Sequence, residues 1–497
     1  MAAVFDNAIA WAQFQLTGGW RTTLITTGVY LTLIGGAVML STRLSVGTST
    51  LSGWTVALLG LQSAILVIFA SARIGMAIRS DVAARMVESH RLMPMPAWQA
   101  ILGYMLGGAS QPLALACVTF ALGCATASAS GAGVERFVVA NAILFTFSAF
   151  VWSVMAFMSF AARPGSKRGG MGWVMGFIFL SASGNGGIVA VLPALSVLIA
   201  PMAGRSIYSM KATGDDLGFA YTISVAMQAV IGGLYFIAAT RRYRRDDLPG
   251  FTPGMALLLL AAFAAATTVG MIWWDEFRPA ILRMSKLDTL RMLPVQIIAS
   301  SILAMLIGIL PAASAARFES DWRRRRDIDD PALGPRPLFP VLVALLTGLV
   351  CLAPVFAAPR PNQLPETWPI PEQALPLRVS AALVCGVAFA SFAMFISYVL
   401  RIIRRRSNFS PGWLVVIALV ATWLVPLGLD VMRFVASQEE ASLTAVSGCS
   451  PIGTLLALWG PYSFDVRPGL IFQIGLAGLL AAVFYLTQAR KRRPSSA

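Results

Sequence analysis

Long apolar runs repeat from one end of the chain to the other, separated by short polar segments, with no soluble-sized polar block between them. A helix that crosses a bilayer needs about 20 apolar residues at a rise of about 1.5 Å each. By that measure spans are predicted at 21–41, 54–74, 99–125, 136–161, 171–200, 218–240, 253–274, 293–315, 337–358, 378–400, 411–432 and 468–488. The runs are continuous, without the strand-like alternation of a membrane barrel, and helices satisfy their own backbone groups in lipid. The expected fold is an all-α integral membrane protein of about twelve transmembrane helices. Two six-helix blocks, 1–245 and 250–497, suit the count.

Composition supports the bilayer as solvent. Of 497 residues, 57% are hydrophobic and 12% charged, about half the charge of an average soluble domain, at roughly 25%. The net charge of +16 raises the question of nucleic acid, but the basic residues sit in short clusters between apolar runs. These are Arg79/Arg85/Arg91, Arg163/Lys167/Arg168, Arg241/Arg242/Arg244/Arg245, Arg323 to Arg326, Arg404 to Arg406 and Arg490 to Arg493. Every second loop is basic. With both termini cytoplasmic, the positive excess falls on one face, as the positive-inside rule requires. The expected location is the inner (plasma) membrane, multi-pass, with lipids as partners and no nucleic acid.

The first residues lack the basic region of a secretory signal. Phe5, Ile9, Ala12 and Leu16 instead predict an amphipathic helix on the membrane surface. Asn185, with Gly184, Gly186 and Gly187, predicts a break in the fifth run, and Ile452 to Trp459 is too short to span.

The chemistry-bearing motifs of an enzyme are missing. The sequence has no phosphate-binding loop, GxSxG elbow, HExxH or CxxC. Four of the five cysteines lie inside apolar runs, as small apolar residues do. No catalytic residue, cofactor or metal is expected. The middles of the spans carry essentially no ionisable residue; Glu135, Asp430 and Arg433 stand at ends. Ion-coupled carriers usually need such a group inside the membrane. The pattern suits a mechanical device driven by something else.

The loop 79–98 is the most distinctive segment. From Asp81 to Met93 the spacing predicts an amphipathic helix with Val82, Met86, Ser89 and Met93 on one face and an Asp81–Arg85 pair at i,i+4. Pro94 and Pro96 stop it, and a second helix is predicted from Ala97 into the membrane. Glu88, Pro94, Gly103 and Gly107, with Leu92 and Ile101 between them, resemble a motif of the membrane subunits of ABC-2-type ABC transporters. Arg85-Met86 stands where that family has Gly-Thr, and Tyr104 where it usually has lysine. The resemblance covers about the first 245 residues.

The resemblance implies the permease of an ATP-driven exporter, with hydrolysis supplied by a separate P-loop ATPase subunit. It implies that Arg85, Glu88, His90, Arg91, Leu92 and Pro94 couple to that ATPase through a docking helix. It also implies a homodimer when only six helices are present. Gly103 and Gly107 are expected to allow close helix contact. A passive channel or secondary transporter, and a non-transporting membrane scaffold, are the alternatives left open. So is the bland reading of the loop as an interfacial helix on anionic lipid.

Overall fold

The computed structural model describes residues 7–44, 48–131, 133–161, 214–244 and 250–252, with isolated positions from 254 onwards. The unit that runs from the N-terminus to Gly250 contains almost all of them and is described by itself. The elements among its described residues are all helices, without strands. Four stretches among the described residues are long and apolar enough to cross a membrane: Gly19–Arg43, Thr50–Ala83, Ser110–Ser130 and Val134–Ala161. The spans predicted at 171–200, 293–315, 337–358 and 378–400 lie outside the described residues, as do the Asn185 break and most of 250–497.

Helix α1 (Ala8–Leu16) starts at Asn7, whose side chain accepts from the Ile9 and Ala10 amides. An N-cap oxygen of this kind satisfies donors that the first turn leaves free. Ile9 and Gln13, one turn apart, are buried. Ala12 and Leu16, of the apolar set expected at the membrane surface, are exposed. The face buried against protein is set by Asn7, Ile9 and Gln13.

Helix α2 (Gly19–Leu44) turns Leu24, Ile25, Leu33 and Met39 outward. Its hydroxyls bond back to its own carbonyls, Thr23 to Gly19 and Thr32 to Gly28, which removes their cost in an apolar setting. The second long helix is α3 (Thr48–Ser63), a π-turn (Ala64–Phe69) and α4 (Ala70–Ala83) in continuous succession. The Leu66 carbonyl in the π-turn accepts from the Trp152 indole at 2.8 Å. The stretch Thr50–Ala83 has 34 residues. It is about 50 Å long, well beyond a hydrocarbon core of about 30 Å. One end must project beyond the core or the helix must tilt.

After α4 the chain forms α5 (Met86–Arg91), then α6 (Ala97–Gly108), α7 (Ser110–Ser130), α8 (Val134–Ala161) and α9 (Gly214–Arg244). The run predicted as one span, 99–125, is two helices that meet at Ala109. Pro112 lacks the amide that would bond back across this junction, and proline is tolerated in the first turn of a new helix. Gly107 and Gly108 lower helix propensity on the other side. Helix α1 lies on α6, α3 runs along α7, and α9 runs along α8. Polar links join the apolar helices: Tyr30 to Thr119, Thr55 to Thr126, and the Gln62 amide to the Ala116 carbonyl.

Candidate functional site

The predicted helix from Asp81 to Met93 is broken at Arg85, which adopts φ 58°, ψ 16°. This left-handed conformation is disfavoured for a side chain with a Cβ. It ends α4 at Ala83, lets the Ala84 amide bond to the Ser80 carbonyl, and re-aims α5. The expected Asp81–Arg85 pair is thereby lost: Asp81 points inward, 4% exposed, and Arg85 outward. The buried face of α5 is Val87 and His90, while Met86, Ser89 and Met93 are exposed. Met86, Ser89 and Met93 of the predicted common face lie on the outer side, and the break turns α5 relative to α4.

Asp81 is the centre of a buried polar cluster. Its Oδ2 accepts from Gln13 Nε2 of α1 at 2.8 Å and from the Tyr104 hydroxyl of α6 at 2.8 Å. His90 Nδ1 of α5 lies 2.9 Å from the Tyr104 oxygen and 3.9 Å from Asp81 Oδ2. The phenol has one hydrogen, which goes to Asp81. His90 must therefore donate from Nδ1, and that fixes a proton on this nitrogen. The Tyr104 side chain is fully buried between Asp81 and His90. This histidine is the only one in the chain.

Aromatic contacts extend the cluster. Phe160 of α8 meets Tyr104 edge-on at 5.8 Å and Tyr243 of α9 edge-on at 5.8 Å. Such contacts add to the area they bury. Arg91 Nε donates to the Tyr243 carbonyl, and its guanidinium lies 5.9 Å from the Tyr243 ring centre. Through His90 and Arg91, the short α5 is tied to α4, α6 and α9, and through Asp81 to α1.

The other residues of the motif stand on the outside. Arg85, Glu88, Leu92 and Pro94 are exposed, Leu92 at 88%. Met95 bonds back to the Met93 carbonyl, and Pro96, extended at ψ 143°, opens α6 by leaving its carbonyl to Ala100. The result is a compact knuckle from Arg85 to Pro96, apolar at its tip and charged at its flank, with His90 and Arg91 turned inward.

Gly103 and Gly107 face α1. A Cβ on Gly103 would lie 2.5 Å from Asn7 Oδ1, and one on Gly107 2.6 Å from the Ala10 carbonyl oxygen. Asn7 Nδ2 donates to the Gln99 carbonyl at 2.6 Å. Gly107 thus admits the backbone of α1, and Gly103 admits the Asn7 side chain that caps it. Sequence reasoning missed Gln13 and Tyr104 and misplaced Asp81. The only available signal for Tyr104 was that it departs from the family's lysine.

Among the described residues no group of three or more His, Cys, Asp or Glu could hold a metal ion. No family model, curated protein or solved structure matches the chain.

Proposed function

We propose that this chain is the transmembrane subunit of an ATP-driven exporter of the ABC-2 type. In this reading a separate P-loop ATPase docks on the knuckle and supplies hydrolysis in trans. The observation that carries it is the two-sided build of α5. Its outer side leaves Arg85, Glu88 and the tip at Leu92 free, while its inner side is bonded to neighbouring helices through His90 and Arg91. A push on such an element is delivered to α4, α6 and α9 together, because packed interiors transmit displacement rather than absorb it. The paired motif residues Glu88 and Pro94 lie on the exposed side, where a partner has access.

The same reading includes about twelve spans in two six-helix blocks and both termini in the cytoplasm. It places the protein in the inner membrane and pairs the block 1–245 either with 250–497 or with a second copy. The polarity of the spans is low, which suits an apolar or amphipathic cargo such as a lipid.

The test is purification of the chain from its native membrane in mild detergent, with mass spectrometry of what stays bound. A stoichiometric soluble ATPase, lost in Glu88→Lys with Pro94→Ala, is the expected result. A chain that carries no ATPase even after crosslinking would point to the channel, carrier or scaffold alternatives.

A further inference from the structure

Between α1, α2, α6 and α7 the packing leaves an apolar groove of about 280 Å³, walled by Trp11, Phe14, Trp20, Leu106, Leu113 and Ala114. The groove is not sealed. Trp11 and Trp20 are about half exposed, and the surface continues along α2 through Leu24 and Ile25, each 67% exposed. Helix α2 is one of the four apolar helices, so the groove is continuous with a surface fit to face hydrocarbon. Tryptophans at this position suit the boundary between lipid tails and headgroups.

The polar side chains in the wall are Thr23 and Ser110, and Ser110 stands 3.4 Å from the hydroxyl of Thr17, which lies just beyond the wall. Gln111 donates to the Thr17 carbonyl at 2.6 Å and accepts from Arg73 Nη2 at 2.8 Å. The Arg73 Nε is buried and has no partner. Among the described residues none that walls the groove is acidic. A hydrocarbon slot whose rim leads to a cation is complementary to one amphiphile, a chain with an anionic phosphate at its head.

We propose that this groove holds one acyl chain of a membrane phospholipid, with the phosphate at the Thr17–Gln111–Arg73 end. The bound chain packs on the Trp11 and Phe14 side of α1, opposite the Gln13 that bonds Asp81, and so helps hold α1 on α6. This binding site is independent of whether an ATPase docks on the knuckle.

The test uses the full chain in vesicles of phosphatidylcholine and phosphatidylglycerol. The probe is a phosphatidylglycerol with a diazirine near the end of one acyl chain, and labelled residues are mapped by peptide mass spectrometry. Labelling of Phe14 and Leu106 is expected to exceed that of Leu33, on the open face of α2. Ala114→Phe, which fills the groove, is expected to abolish the Phe14 and Leu106 labels and leave Leu33 unchanged. Leu113→Trp serves the same purpose should Ala114→Phe fail to insert. Groove labelling no stronger than at Leu33, or unchanged in an inserted filled variant, overturns the site. Equal groove labelling by a diazirine diacylglycerol, which has no phosphate, overturns the assignment of the headgroup to the Arg73 end.

Discussion

Tyr104 donates its phenolic hydrogen to Asp81 Oδ2 across 2.8 Å, and both groups are buried. The bond crosses from α6 to α4 and leaves the phenolic oxygen as the acceptor for His90 on α5. Removing the hydroxyl leaves Asp81 with only the Gln13 amide and takes away the oxygen that His90 Nδ1 faces.

Tyr104→Phe is therefore expected to destabilise the protein by about 1–3 kcal/mol, the cost of buried polar groups that lose a partner. Reversible unfolding of the detergent-solubilised chain measures it. Asp81→Asn combined with Tyr104→Phe is expected to cost less than the sum of the single changes, since both break one network. Additive losses would mean that the cluster is not coupled.

The glycines of the first unit divide into two kinds. A Cβ on Gly107 meets the Ala10 backbone at 2.6 Å, whereas one on Gly53 meets nothing within 4 Å. Gly107→Ala is expected to cost about 1–3 kcal/mol by overpacking and to expose α1 to protease. Gly53→Ala, in the interior of α3, is expected to gain about 0.5–1 kcal/mol. Equal effects at the two positions would place α1 elsewhere.

Arg85 holds a left-handed backbone at φ 58°. Arg85→Gly removes the Cβ clash and is expected to stabilise the fold by about 1 kcal/mol, while Arg85→Val is expected to destabilise it. Thermal unfolding separates the two. A docking role for the Arg85 side chain shows as weaker ATPase retention in the stabilised glycine variant.

The apolar helices were legible because about 20 apolar residues in succession have few other readings. The spacing of Gly103 and Gly107 names a helix face and not what lies against it, which is α1. The split of 99–125 had local signals in Gly107, Gly108 and Pro112, outweighed by unbroken hydropathy. The left-handed Arg85 had none, since nothing marks an arginine for that conformation, and one such residue turned the predicted face of α5 over. Asp81 read as half of a surface pair for the same reason. Its true partners lie 68 residues before it in Gln13 and 23 after it in Tyr104. Contacts of that range leave no periodic trace.

The most direct measurement of the proposed coupling is a photocrosslinking amino acid placed at Leu92, the exposed tip of the knuckle, in the full chain in its native membrane. The expected result is a crosslink to a soluble protein with a phosphate-loop ATPase signature, lost when Glu88→Lys is added to the same chain. Crosslinks to lipid alone would contradict the exporter reading and leave the knuckle as an interfacial element.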